Sequence, residues 1–499
     1  MDETIRIGWA QGCLTPREPV LIAGQFHARV SEGVDDDLTV TALALEKEQQ
    51  QAVLASCDFV TIPDSLRDRV RETVKRLCPD LDPEAVVLNA THTHTGPELR
   101  TPAPGAAHVS MGTGIELEHM PVETYRERAA AIIADTVAAA WTQRAQGEIA
   151  CGQDWAVIGH NSREANTDGA SIMYGDTNTR TFSHIEGTED HSLGLLATRD
   201  ANGTLTGLVV NVPCPSQVSE TEYRISADYW HETRLELRRR FGSQLPVLSQ
   251  CSAAGDQSPR LLYEQRAEER MLQLKNRTKR QEIASRIADA VGSILDVLEP
   301  VYESAPLFRH ASARPDVPLN PLTENQAHTA LAQAEECRKT YESERQKIQQ
   351  NPDLRHQPHW YVDVTRAYRR MKWHRGVAER YRMQQKSPTR PVELHVLRIG
   401  NAAIATNPFE YYLDHGIVIK ARSRAEQTFL VQLAGSGTYV PSHRSVAGGG
   451  YGSTAESNPV GPDGGRRVAD TTVDLIASLW TAPPETAAPR PKADKGGKE

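Results

Sequence analysis

Glu84-Ala85-Val86-Val87-Leu88-Asn89-Ala90-Thr91-His92-Thr93-His94-Thr95-Gly96-Pro97 is the stretch whose reading decides the architecture. Residues 84–90 form a short, nearly continuous apolar run, the pattern of a strand buried on both faces. The run then gives way to alternating threonine and histidine and stops at Gly-Pro, a turn signal. Residues two apart on an extended segment face the same side, so His92 and His94 can reach one site. Functional groups collect where a rigid strand passes into a loop. The competing reading is two hydrogen-bonded surface histidines, and a bare His-x-His pattern leaves both open.

Outward from this stretch, residues 38–45 and 52–60 carry strand patterns. Pro63-Asp64 opens a helix with Leu66, Val70, Val74 and Leu77 on its apolar face. A second helix is expected over 121–143. Residues 193–198 and 205–212 flank an Asn202-Gly203 turn, a strong hairpin signal. A helix over 228–240 and a strand over 245–250 follow, leading into Cys251-Ser252-Ala253-Ala254-Gly255-Asp256. Residues 262–390 are dense in charge, with Ile283, Ile287, Val291, Ile294 and Leu298 on one helical face and a second helix over 323–350. Their mixed-sign charges read as a solvated face. His310, His328, His356, His359 and His374, scattered through this region, read as surface or core residues. A hairpin over 392–406 and a strand over 428–433 complete the pattern.

The expected fold class is mixed α/β, a sheet-based catalytic body with a helical insertion or layer. Its parts are 1–261 and 391–482 for the body, 262–390 for the helical layer, and a disordered tail at 483–499. The chain has 499 residues, with 56 Lys+Arg against 65 Asp+Glu and a formal charge of −9. That acidic balance argues against nucleic acid as a partner. Seven scattered cysteines without a C-x-x-C pair form neither a disulfide framework nor a thiolate zinc finger. No apolar run is long enough for a membrane span, and the N-terminus shows no secretory pattern. The expectation is a cytoplasmic enzyme acting on a small-molecule substrate; its oligomeric state is not readable.

Several separated motifs resemble the neutral (non-lysosomal) ceramidase family, in order and over roughly residues 5–482. Thr91-His92-Thr93-His94-Thr95-Gly96-Pro97 is close to the family's Thr-His-Thr-His-(Ser/Thr)-Gly-Pro element. Gly255-Asp256-Gln257-Ser258-Pro259 resembles its Gly-Asp-x-Ser-Pro element. The segment 397–410 resembles its strand-loop ending in Pro-Gly-Glu, reading Pro408-Phe409-Glu410 here, and Tyr439 and Tyr451 match its two site tyrosines. The resemblance implies a zinc amidohydrolase. It implies His92, Glu410 and Tyr439 as metal ligands, and His94 as an acid/base or substrate-orienting group. It also implies Tyr451 as a donor to the substrate carbonyl and Arg163 as a substrate contact. A catalytic zinc takes about three protein ligands and keeps one position open for water, which it acidifies.

The family's second histidine ligand precedes a proline, and here that place reads Val212-Pro213-Cys214-Pro215-Ser216. Cys214 is then the implied fourth ligand; a buried apolar cysteine, or His231 reaching in as the replacement, are the alternatives. Ser258 lacks a neighbouring His/Asp pair and reads as part of a structural turn, and Cys251 as packing. The resemblance implies cleavage of an N-acyl amide. The chain shows no amphipathic segment for lifting lipid from a membrane and no C-terminal immunoglobulin-like domain, so a substrate smaller or more polar than ceramide is expected. The other readings are a metal-dependent esterase or glycan-processing enzyme on the same scaffold, and a metal-free, non-catalytic binding homologue.

Overall fold

A computed structural model describes residues 4–100 and 112–481. The apolar runs become two sheets. The larger has eight strands in the spatial order Val247–Cys251, Leu205–Val212, Ser192–Asp200, Ala145–Trp155, Arg6–Cys13, Thr39–Lys47, Gln50–Cys57, Val86–Ala90. Its neighbours are antiparallel except at the two edges. There Leu205–Val212 pairs in parallel with Val247–Cys251, and Gln50–Cys57 with Val86–Ala90. The smaller sheet runs Phe308–Ala313, Leu394–Ile399, Ala402–Thr406, Gln427–Val431, its last pair also parallel.

Period-2 patterning explains the layering. Along Thr39–Lys47, Val40, Ala42 and Ala44 face helices Asp64–Leu77 and Val122–Thr142, whereas Leu43 and Leu45 point the other way. They meet Leu196, Val209 and Leu248 of the same sheet and Phe308, Leu397 and Phe429 of the smaller one in a single inner core. The large sheet curls enough for its edges to touch: Ser56 Oγ and Asn89 Nδ2 both donate to the Ser249 carbonyl. Helices Tyr229–Phe241 and Lys279–Leu295 cover its other half, the latter through Ile283, Ile287, Val291 and Ile294. Helix Pro462–Trp480 covers the smaller sheet with Val468, Ala469 and Ile476. The expected helix at 64 places Leu66, Val70 and Val74 inside, but Leu77, in its last turn, is 48% exposed.

Residues 262–390 are mostly helical, with Gln265–Leu274, Lys279–Leu295, Glu324–Gln350 and Val362–Gln384. They are not a purely helical insertion. Phe308–Ala313 lies inside this range and forms an edge strand of the smaller sheet, paired with Leu394–Ile399. The tail expected over 483–499 lies outside the described residues. Among the described residues no helix is long and apolar enough to cross a membrane.

A polar chain crosses from the smaller sheet to helix Asp64–Leu77. His310 donates from Nδ1 to the Gln51 carbonyl at 3.0 Å and accepts at Nε2 from His395 Nδ1 at 3.0 Å. His395 Nε2 donates to Glu393 Oε1 at 2.9 Å, and Arg71 Nη2 reaches the same oxygen at 2.8 Å. Burial and the His395 ring push His310 down to about 4. Burial works against charge on Glu393, but His395 and Arg71 outweigh it and hold the carboxyl far below its usual range. An unfolded chain protonates the histidine near pH 6.5 and the carboxylate somewhat above 4, earlier than the folded chain does. Acid therefore favours unfolding. Thermal midpoints are expected to fall as pH drops from about 6.5 towards 4, with a shallower slope in His310→Gln. Equal slopes in scanning calorimetry would remove His310 as a source of the acid sensitivity.

Candidate active site

Parallel pairing brings strand carboxyl ends out side by side, and ligand sites in open sheets form at such ends. Four of these strands lead into one cluster. Val86–Ala90 continues to His92 and His94, Leu205–Val212 to Gln217 and Glu220, Ala402–Thr406 to Glu410, and Gln427–Val431 towards Tyr439. Glu410 and Tyr439 then sit opposite each other in a short parallel pairing of Glu410–Tyr411 with Tyr439–Val440.

His92 is held in the left-handed region at φ 67°, a conformation that costs a non-glycine residue energy unless its surroundings impose it. They do so: its N–H donates to the Phe59 carbonyl at 2.9 Å and Nδ1–H to the Val60 carbonyl at 2.7 Å. With the proton required on Nδ1, Nε2 faces Glu410 Oε2 at 3.3 Å and His94 Nε2 at 3.3 Å. Burial works against a charge on His92, yet the Glu410 carboxylate outweighs it and holds the ring above its ordinary value. Close backbone approach makes this possible at Gly255, where a Cβ would lie 2.3 Å from the Glu410 carbonyl oxygen.

His94 is buried and pushed the other way, well below the usual imidazole range, by burial and then by the charge of His92. Its Nε2 accepts from Gln217 Nε2 at 2.9 Å, and Gln217 Oε1 accepts from the Tyr174 hydroxyl at 3.1 Å. That chain leaves the His94 proton on Nδ1, which has Glu220 Oε2 3.6 Å away and no hydrogen-bond partner among the described residues. Burial pushes the Glu220 carboxyl up. Gly24, at φ 95°, leaves room for the His94 ring, which a Cβ there would meet at 2.6 Å. Fully buried Arg29 joins the parts, donating to the carbonyls of His94 at 2.6 Å and Glu220 at 2.8 Å. Burial and then Glu410 push the Tyr439 phenol well up, so it stays protonated. The Tyr451 ring stands edge-on to Tyr439 with centroids 5.7 Å apart.

The structure thus brings His92, His94, Glu410, Tyr439 and Tyr451 together, but not the remaining expected residues. Cys214 lies elsewhere: its thiol is fully buried in the apolar cluster of Tyr229 and Trp230 and donates to the Ile158 and Pro215 carbonyls. Burial pushes that thiol well above its ordinary value. The loop after Val212 does reach the cluster, but through Gln217, while Ser216 Oγ is bonded to the Thr91 carbonyl at 2.8 Å. The other candidate, His231, is near Asp36, 4.0 Å away, on helix Tyr229–Phe241. Arg163 is fully buried, and its guanidinium is spent on Glu186, at 2.8 Å, and on the Tyr451 and Gly449 carbonyls at 2.9 and 2.6 Å. It holds the loop carrying Tyr451. Ser258 is buried, not in the expected turn but in the short strand Gln257–Ser258 that pairs with His160–Asn161, its Oγ accepting from the Arg260 N–H.

Gln217, Glu220, Tyr174 and Arg29 are residues that the sequence reading missed. The available signal was weak and covered only Gln217 and Glu220: polar residues in the loop directly after a mostly buried strand. A cavity of about 700 Å³ has His92, Glu410 and Arg100 in its wall. Among the described residues, no three His, Cys, Asp or Glu side chains gather as a metal-holding group.

No protein-family model and no curated protein matches the chain. Solved structures do. A neutral ceramidase from Pseudomonas aeruginosa superposes with a TM-score of 0.64 over 98% of this chain and 76% of that one, at 15% identity. A ceramidase complexed with C2 gives a TM-score of 0.63 over 95% and 75%, also at 15% identity. The fold is therefore neutral ceramidase-like. Cys214→Ala is expected to lose about 1–2 kcal/mol of stability, as a small core truncation does, and to leave the metal content of the purified protein unchanged. Loss of metal from a folded Cys214→Ala protein would return the thiol to the ligand set.

Proposed function

We propose that this ceramidase-like chain is a metal-dependent hydrolase that cleaves the amide bond of a small N-acyl compound. The observation that carries this reading is the facing pair His92 Nε2 and Glu410 Oε2, 3.3 Å apart and delivered by two different sheets. Two donors about 2.0–2.1 Å from one tetrahedral ion stand roughly 3.3 Å apart, so the pair suits zinc in donor type and in separation. The hydrogen bond from His92 Nδ1 to Val60 fixes the tautomer that offers Nε2, the usual support of a ligating imidazole. The protonated phenol of Tyr439 is the third candidate donor. Zinc, when bound, supplies Lewis acidity and a more acidic water.

The remaining chemistry belongs to the chain. His94 is neutral and clamped by Gln217, with Glu220 beside its free edge. The Glu220 carboxylate, beside the His94 Nδ1–H, can take the proton from an attacking water and return it to the leaving amine. Tyr451, held through its own carbonyl by Arg163, can donate to the oxyanion that forms on the substrate carbonyl. The position of Cys214 in the core and the lack of a three-residue His/Cys/Asp/Glu group among the described residues favour one second reading, a metal-free binding homologue.

Metal analysis with an N-acyl hydrolysis assay separates the two. Near-stoichiometric zinc, lost in His92→Ala and Glu410→Ala, is expected together with turnover. Purified protein that binds no added zinc and cleaves no N-acyl amine would leave the binding homologue. Glu220→Gln is expected to fold normally and to lower kcat by about 10²- to 10⁴-fold, the usual share of a general base. An unchanged kcat would take Glu220 out of the proton path.

A further inference from the structure

The cavity that contains His92 and Glu410 is also lined by four arginines, against two acidic residues, Asp64 and Glu410. Two of the four are neutralised locally. Arg100 is paired with buried Glu98 at 2.7 Å and Arg126 with Glu123 at 2.5 Å. The other two differ. Arg380, on helix Val362–Gln384, donates among the described residues to the main-chain carbonyls of Ala455 and Glu456. Arg390, on the short strand Thr389–Pro391, donates to the Ser436 carbonyl at 3.2 Å. Neither forms an ion pair with a described carboxylate.

Glu456 attracts Arg380 and Asp64 attracts Arg390, each from beyond ion-pair distance. A guanidinium taken out of water without a close ion-pair partner is costly, and an arriving anion would offset that cost. The desolvation is visible in both: burial lowers Arg390 and brings Arg380 down to about 10. Carbonyl bonds occupy only part of each five-donor fork. Arg390 is moreover tied to the reactive cluster, because Ser436 begins the segment that carries Tyr439. Asp64 accepts the Ser436 N–H at 3.1 Å, which keeps that segment in the cavity wall.

We propose that the substrate carries an anionic group, a carboxylate or a phosphate, which Arg390 and Arg380 receive while its amide bond lies at His92 and Glu410. This inference rests on the amide-hydrolase reading and narrows its substrate to charged N-acyl compounds. The segment 262–390 then has a recognition role, because it supplies both arginines.

The test uses the full chain with three matched compounds: N-octanoylglycine, N-octanoylphosphoethanolamine and uncharged N-octanoylethanolamine. The wild-type protein is expected to prefer a charged compound, and which one identifies the oxyanion. In Arg390→Gln the ratio of charged to uncharged kcat/KM is expected to fall by about 10- to 100-fold, the effect of losing a charged donor. Arg390→Lys is expected to keep most of it, and Arg380→Gln supplies an independent arm if Arg390→Gln does not fold. A wild-type protein that cleaves the uncharged compound as well or better, or a ratio unchanged in the folded variants, overturns the anion subsite and leaves the hydrolase reading intact. If none of the three is cleaved, the hydrolase reading fails, and calorimetry with the two charged compounds decides the subsite. Binding lost in Arg390→Gln upholds it, and no binding by the wild type overturns it.

Discussion

The buried ion pair of Asp58 and Arg234 sits where the large sheet closes on itself, and the site is built on it. Asp58 is fully buried and takes two hydrogen bonds from the guanidinium at 2.7 and 2.9 Å. It also accepts from the Thr39 N–H at 2.8 Å and Thr91 Oγ1 at 3.1 Å, while Arg234 reaches Ser249 Oγ at 3.2 Å. One carboxylate thus joins both parallel edge pairs to helix Tyr229–Phe241. A buried pair of this kind adds little net stability over an apolar pair of the same shape, but removing one partner costs about 3–5 kcal/mol. Its value here is register. The next two residues, Phe59 and Val60, present the carbonyls that force His92 into its left-handed conformation.

From that fixed point the two histidines separate chemically. They are neighbours on one segment, with ring centroids 4.8 Å apart, yet their environments drive them in opposite directions. Glu410 favours charge on His92, and that same charge, added to burial, disfavours it on His94. Environment alone thus divides two neighbouring imidazoles by proton affinity. The division requires Glu410 to come from the smaller sheet, so it exists only once the two sheets have packed through Leu43, Leu248, Phe308 and Phe429.

In the loop 213–220 the side chains that face the histidines are Gln217 and Glu220, not the Cys214 singled out by the local reading. Proline on both sides of Cys214 holds the backbone so that the thiol turns back into the apolar cluster, while Gln217 and Glu220 face His94. A small sulfur side chain gains more from that apolar surrounding than a charged thiolate would. Arg163 follows the same logic. Its position near the Tyr451 loop agrees with an active-site neighbourhood, but its donors are consumed in holding that loop.

The sequence alone determined the elements whose patterning is local. The strand before His92, the Asn202-Gly203 hairpin and the helices starting near 64, 122, 229, 279 and 324 follow from period-2 or period-3.6 burial and from turn chemistry. The motif order also led to five residues that meet: His92, His94, Glu410, Tyr439 and Tyr451. Strand Ala145–Trp155 escaped it because the buried residues there are interrupted by glycine and charge, and Phe308–Ala313 because it lies inside a stretch of charged helices. Tertiary structure decided the rest: which loop residue faces the cluster, which arginines pair closely with a carboxylate, and which bond carbonyls instead. Those outcomes depend on the curl of one sheet and its packing against another, and contacts made across layers leave no periodic trace in the chain.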